Sequence, residues 1–195
     1  SLRSFRLYIA AVAVLFFLLF SFAGYMTAEW YKASDAVLAY SSLNGKSRIC
    51  LPDSTFVWLN AGSTLEYFVS RWTKERNVRL DGEAYFEVAK ERERPFWVDF
   101  REGTVRVLGT QFNVKAYGGE EAVATLVHGK VEVARGQEAV VLQPGEQCRI
   151  AAGEAHALIV GKADLVSTLA WKNGEFVFKD ASFCLLYTSP SPRDG

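Results

Sequence analysis

The sequence predicts an all-β fold, an antiparallel β-sandwich or β-roll, preceded by one transmembrane helix and followed by a short helix and a strand. Apolar and polar residues alternate with period two at 96–100, 105–107, 112–116 and 131–133, which is typical of strands with one buried face. Turn dipeptides such as Asp81-Gly82 and Pro144-Gly145 recur near the spacing of about 8–12 residues found in sandwiches and barrels. An uncharged, strongly apolar segment precedes these runs.

That apolar segment covers residues 7–28 and is continuously apolar from 10 to 20. A helix needs about 20 apolar residues to cross a bilayer, so the segment is long enough. Arg3 and Arg6 precede it, which predicts a cytoplasmic amino end and a single pass through the membrane. A cleaved signal peptide is the alternative, but its apolar region is usually only about 7–15 residues long. Either reading places residues after about 30 outside the cytoplasm.

The carboxy-terminal part differs from the strand-rich region. Asp164 is a helix-capping residue, and Leu165 and Leu169 share one helical face, which predicts a short helix. Residues 176–178 read as a strand, and the two prolines of the tail exclude a regular helix there. The chain therefore divides into a cytoplasmic stub (1–6), a transmembrane helix (7–28), a linker or helix extension (29–44), an extracytoplasmic β-domain (45–160), a short helix and first strand of a truncated carboxy-terminal module (161–182) and a tail that is either non-native or disordered (183–195).

Composition and motifs argue against several functions. The chain carries 22 basic and 22 acidic residues, so it lacks the basic excess of nucleic-acid-binding proteins. No phosphate-binding glycine loop or Gly-x-Ser-x-Gly elbow occurs, and His128 and His156 are the two histidines. Glu83 and Glu87 share a strand face about 13 Å apart, too far for a glycosidase pair. We predict no enzyme activity, no catalytic residue, no metal site, no cofactor and no small-molecule substrate.

Two features leave alternatives open. Cys50 and Cys148 either form a disulfide, which an extracytoplasmic domain permits, or are small buried apolar residues, the reading we favour. Tyr67, Phe68, Trp72 and Trp97 either form an exposed aromatic patch for a partner or pack inside the protein, which is again the favoured reading.

Five blocks of sequence occur in the order found in the FecR family. They are LPDST at 51–55 with VWLNAGSTL at 57–65, DGEAYFEVA at 81–89, VLGTQFNV at 107–114, residues 126–133, and LQPGEQ at 142–147. Together they span roughly residues 45–182. Ser54 stands where the family more often has glycine. The motif residues are structural in kind: Pro52, Asp53, Trp58, Asn60, Gly62, Gly82, Glu83, Tyr85, Phe86, Gly109, Thr110, Phe112, Asn113, Gly129, Pro144 and Gly145.

The resemblance implies a transmembrane anti-sigma factor. Such proteins bind an extracytoplasmic-function sigma factor through a cytoplasmic domain, which this chain lacks. A single inner-membrane helix then leads to a periplasmic β-domain, which senses the signalling domain of a TonB-dependent outer-membrane transporter. The alternative is a membrane-anchored periplasmic module that binds a ligand or senses the cell envelope.

Overall fold

The computed structural model describes residues 2–32, 36–69, 75–151 and 157–175. The chain begins with helix α1, Leu2–Lys32, and the described part ends with helix α2, Leu165–Asn173. Thirteen strands lie between them: β1 Ala36–Ser42, β2 Ser47–Cys50, β3 Phe56–Leu59, β4 Ser63–Val69, β5 Arg76–Glu87, β6 Phe96–Phe100, β7 Gly103–Val107, β8 Gln111–Ala116, β9 Ala122–His128, β10 Val131–Arg135, β11 Glu138–Leu142, β12 Glu146–Ile150 and β13 Leu158–Lys162. The prediction of a mostly β fold is confirmed.

The strands form two layers that share β5. In the first layer the order is β1-β4-β5-β6-β7-β10-β11, and residues 76–81 of β5 pair in it. In the second layer the order is β2-β3-β5-β8-β9-β12-β13, and residues 82–87 of β5 pair in it. One continuous strand therefore belongs to both layers, and hydrogen bonds connect all thirteen described strands.

The strand pairing departs from the sequence prediction at one place. β5 and β6 are parallel, with Val78 opposite Val98, while every other pair among the described strands is antiparallel. Parallel neighbours need a crossover connection. Here the second half of β5 and the loop of residues 88–95 provide it, because the chain passes through the other layer before it returns.

The core lies between the two layers and is built from the inward-facing positions of the alternating runs. Phe86 is its centre: its ring stacks on Phe112 with centroids 5.0 Å apart and meets Phe96 edge-on at 6.1 Å. All three rings are fully buried. Aromatic pairs of this geometry add about 0.5–1.5 kcal/mol to the hydrophobic effect of their burial, so this cluster links both layers to the shared strand.

The change of layer within β5 depends on Gly82. Its φ is +110°, and a Cβ atom built there would lie 2.4–2.7 Å from atoms of Ser63. The Ser63 hydroxyl accepts a hydrogen bond from the backbone N–H of Glu83 at 2.8 Å. Glycine is required because both the backbone angle and the close approach exclude a side chain.

Helix α1 carries exposed apolar side chains. Every side chain that the structure describes on it, at Ile9 and at 12–27, is exposed, including a run of phenylalanine and leucine from 15 to 20. Within the described residues, no helix reaches the combined length and hydropathy that a membrane crossing requires.

The segments on either side of the strand-rich region compare differently with their predictions. The prediction of a linker or helix extension over 29–44 is wrong for Ala36–Ser42, which forms β1 and pairs with β4 along its whole length. Its sequence is apolar without strict alternation, so it resembles the preceding segment. Helix α2 forms where the sequence predicts it, with Asp164 accepting from the Ser167 N–H at 3.2 Å and Gly174 closing its end. The predicted strand at 176–178 and the tail from 183 lie outside the described residues.

Substituting Gly82 by alanine is expected to destabilise the protein strongly. Backbone strain alone costs about 1–3 kcal/mol, and the clash with Ser63 adds to it. The matched control is Gly136→Ala, at φ +59° with open space around the new methyl group, which should cost only about 1–2 kcal/mol. Urea unfolding in neutral detergent, followed by tryptophan fluorescence, measures both. Equal losses in the two variants would show that Gly82 is not a packing constraint.

Candidate functional site

A cleft of about 640 Å³ opens where three loops from distant parts of the sequence meet. The loop between β5 and β6 contributes Lys90 and Arg92, the turn between β7 and β8 contributes residues 107–110, and the turn between β9 and β10 contributes 128–130. Arg106, Glu132 and Val141 complete it from β7, β10 and β11. We call it the basic cleft.

Close backbone packing holds the floor of the basic cleft in place. Gly109 has φ +147°, and a Cβ atom there would lie 2.6 Å from the Cα atom of Lys90. The Thr110 hydroxyl donates to the backbone carbonyl of Lys130 at 2.9 Å. A Cβ atom on Gly129, with φ +98°, would lie 3.0 Å from the Thr110 hydroxyl oxygen. The three loops are therefore fixed to one another at their closest points.

Positive charge dominates the walls of the basic cleft. Lys90, Arg92 and Lys130 are exposed, and none of them forms an ion pair within the described residues. Arg106 pairs with Glu132 at 3.3 Å, with both side chains about 41% exposed. In a chain with no net charge, four formal cations against one carboxylate form a local field that favours negatively charged groups.

Beside the cleft, a buried ion pair joins three segments. The Arg76 guanidinium contacts the Asp53 carboxylate at 3.0 Å, and the two side chains are 1% and 3% exposed. Arg76 also donates to the carbonyl oxygens of Ala89 at 3.0 Å and Arg94 at 2.8 Å. Asp53 in turn accepts from the Thr55 hydroxyl at 2.8 Å. The start of β5, the turn before β3 and the loop that carries Lys90 and Arg92 are thus bound together.

Burial raises the pKa of the Tyr67 hydroxyl, and the negative charge of nearby Asp53 raises it further. Tyr67 therefore stays a neutral phenol next to the ion pair. The favoured reading of buried packing holds for this residue. Phe68 and Trp97 are half-buried on the outer side of the first layer, under Arg79 and Arg106 at 5.3 and 5.6 Å. Trp72 lies outside the described residues.

On the outer side of the second layer, Lys172 of α2 lies over two aromatic rings. The Lys172 ammonium lies 4.3 Å from the Tyr85 ring centroid and 4.8 Å from that of Trp58, and 3.9 Å from a Glu87 carboxylate oxygen. Burial, followed by the charge of Glu87, raises the pKa of Tyr85 to about 12. Cation–π contacts of this kind contribute about 0.5–2 kcal/mol, which ties α2 to β3 and β5.

Glu83 is a structural carboxylate. It is buried, and it accepts from the side-chain amides of Asn60 and Asn113, each at 2.9 Å. The Asn60 N–H also bonds to the Glu83 carbonyl at 2.9 Å. Its hydrogen bonds thus join β3, β5 and β8.

Comparisons with known proteins identify the family. A family model described as "FecR protein" matches residues 39–132. A crystal structure of a candidate anti-sigma factor from Parabacteroides distasonis is similar at 31% identity and a TM-score of 0.68, covering 77% of this chain and 71% of that one. The chain belongs to the FecR family.

A second crystal structure of a candidate anti-sigma factor from the same organism is 33% identical, with a TM-score of 0.66. That alignment covers 70% of this chain, which spans only 65% of the other. No curated protein matches the chain.

The FecR motif residues separate in space into groups with different roles. Gly109, Thr110 and Gly129 line the basic cleft. The others lie in the turn before β3 (Pro52, Asp53), under Lys172 (Trp58, Tyr85), in the Glu83 network (Asn60, Glu83, Asn113), in the core (Phe86, Phe112) and at turns or the β5 bend (Gly62, Gly82, Pro144, Gly145). Ser54 has φ +67°, a left-handed angle that favours glycine and explains why the family more often has one there.

Several residues that shape the FecR domain escaped the sequence analysis. Arg76 lies two residues before Val78 and four before Leu80, so all three side chains point to the same, buried face of β5. The alternation therefore indicated an inward direction for Arg76, but a charged residue was not expected in the core. Lys172 and Lys90 gave no signal, because single lysines usually lie on the surface. His128 lies at an exposed turn and lines the basic cleft, while His156 lies outside the described residues.

The two described cysteines are free thiols. Cys148 is buried as expected, and burial raises its pKa to about 11. Cys50 is exposed, so the expectation that both are buried is wrong for this residue. It lies on β2, an edge strand of the second layer, at an outward-facing position.

Removing the carboxylate of Asp53 should strongly destabilise the FecR domain. Asp53→Ala leaves the buried Arg76 guanidinium with only the partly exposed Glu91 carboxylate at 3.8 Å as a counter-charge, and breaking a buried pair typically costs about 3–5 kcal/mol. The control is Glu66→Ala, which removes the partner of Arg79 in an exposed pair at 3.5 Å and should cost at most about 1 kcal/mol. Urea unfolding in detergent compares them. A similar, small loss in both variants would mean that the buried pair is not a structural requirement.

Proposed function

We propose that this chain is the membrane and periplasmic part of an anti-sigma factor that regulates an extracytoplasmic-function sigma factor. The observation that carries the proposal is its similarity, at 31% identity over 71% of the other chain, to a candidate anti-sigma factor. The match to the FecR family model supports the same function. In this proposal the sigma-binding segment precedes α1 on the cytoplasmic side.

Although the described part of α1 does not reach the combined length and hydropathy of a membrane crossing, its exposed apolar side chains support a place in the inner membrane. Ile9, Phe16, Phe17 and Phe20 are each more than half exposed, and such side chains in water would be costly. Only residues 33–35 separate α1 from the strand-rich part of the chain, residues 36–162, which we call the β-body. A displacement of the β-body would therefore act on the helix through a short connection. We propose that α1 carries the signal across the bilayer and that the β-body lies in the periplasm.

The input in this proposal is the signalling domain of a TonB-dependent outer-membrane transporter. The two layers and the strand they share would present such a protein with a surface whose strands are hydrogen-bonded to one another. Binding on one face would move the whole body relative to the membrane, because one hydrogen-bonded network connects all the described strands. The sigma factor would then be released or activated on the other side.

Topology can be tested on this chain directly. Alkaline phosphatase, which needs disulfides that form outside the cytoplasm, is fused after Gly174. We expect active enzyme in the membrane fraction, and no activity when residues 2–32 are deleted. Active enzyme that is free in the periplasm would instead indicate a cleaved leader, and inactive enzyme in the complete fusion would refute the periplasmic placement.

Sigma-factor control is tested with the complete reading frame that contains this chain. Co-expression with the sigma factor encoded beside it should change transcription from a promoter of that sigma factor, and the two proteins should co-purify. The matched control is residues 1–195 alone, which should do neither if, as proposed, sigma-factor binding requires a segment on the cytoplasmic side of α1. An unchanged reporter and no co-purification with the complete frame would contradict the proposal.

A further inference from the structure

We infer that the basic cleft is the docking surface for an acidic, partly apolar segment of a protein partner. This inference rests on the proposed function and deepens it, by naming the surface and the chemistry that the partner must offer.

The charge of the basic cleft defines the first requirement. Lys90 and Arg92, on the loop between β5 and β6, and Lys130, after β9, line one opening, and no ion pair within the described residues neutralises them. Like charges gathered around one opening repel one another, so their placement costs electrostatic free energy when no anion is present. A partner with carboxylates removes that repulsion and is steered to the opening.

The apolar wall of the cleft defines the second requirement. Leu108 and Val141 lie within the lining and are 41% and 45% exposed. A small inorganic anion would leave these side chains in water. A peptide segment that alternates acidic and apolar side chains would cover them while its carboxylates meet the cations. The cleft volume of about 640 Å³ falls within the range of ligand sites.

Backbone hydrogen bonds fix the loops of the basic cleft to one another before a partner binds. Thr110 donates to the Lys130 carbonyl at 2.9 Å, and the Glu91 N–H donates to the Leu108 carbonyl at 2.8 Å. The loops that carry the cations are thus positioned before a partner arrives, and binding loses less conformational entropy than it would with mobile loops.

Glu132 is the one carboxylate among the residues that line the basic cleft. Its carboxylate pairs with Arg106 inside the cleft at 3.3 Å, so it competes with any carboxylate of a partner. Neutralising it should strengthen the binding of an acidic segment, whereas losing an acid elsewhere should have no effect. A structural role for Glu132 alone would give no gain in affinity.

The experiment measures fluorescence anisotropy of a fluorescein-labelled peptide of alternating glutamate and leucine, with the full chain in neutral detergent micelles. We expect saturable binding that weakens with salt. Lys130→Glu should weaken it about fivefold or more, and Glu132→Gln should strengthen it. The controls are Lys162→Glu and Glu138→Gln, exposed positions on β13 and β11 outside the cleft lining, which should leave affinity unchanged.

Three outcomes would overturn the inference: equal weakening by Lys130→Glu and Lys162→Glu, equal binding of a lysine–leucine peptide, or displacement of the acidic peptide by phosphatidylglycerol added to the micelles, which would assign the cleft to a membrane surface. Unfolding curves check that each variant folds, and Lys130→Met replaces Lys130→Glu if it does not. Peptide binding requires no sigma factor, so its failure is distinguishable from failure of the reporter experiment.

Discussion

The ion pair between Arg76 and Asp53 is the constraint on which the architecture depends. Arg76 begins the strand that both layers share, and its guanidinium is almost completely withdrawn from water. A charge in that position is tolerated only with an opposite charge and with carbonyl oxygens to accept its remaining hydrogens. Asp53, Ala89 and Arg94 supply both. The contacts of the Arg76 side chain therefore fix both the turn before β3 and the loop after β5.

The same arrangement connects stability with the candidate interaction surface. The loop from 88 to 95 supplies carbonyl oxygens to Arg76 on its inner side and presents Lys90 and Arg92 on its outer side. Gly109 fixes this loop from the opposite direction, since only a residue without Cβ allows the approach to Lys90. The shape of the basic cleft and the stability of the fold therefore both depend on the backbone of residues 88–95. Motif residues such as Gly109 can therefore shape the candidate interaction surface without contacting a partner themselves.

The sequence could predict those features that arise from local pattern. Alternation at 96–100 and 112–116 placed two strands, and Asp164 marked the start of α2, because periodicity and capping act over a few residues. Three features depend on contacts between residues far apart in sequence, so no local pattern predicts them. They are the parallel pairing of β5 with β6, the change of layer at Gly82 and the meeting of the loops around residues 90, 109 and 129. β1 was missed because its apolar residues continue the composition of α1. Arg76 was missed because a charged residue on a buried face opposes the usual rule.

Because β5 belongs to both layers, the two layers of the β-body cannot move independently of each other. In a sandwich of two separate sheets, one sheet can move over the other by exchanging side-chain contacts, but here such a shear would also have to deform β5 and break hydrogen bonds that it makes in both layers. A push at one face is therefore converted into tilt or rotation of the entire body. If the chain spans the inner membrane as proposed, such a body would transmit a displacement to α1 with little loss to internal deformation.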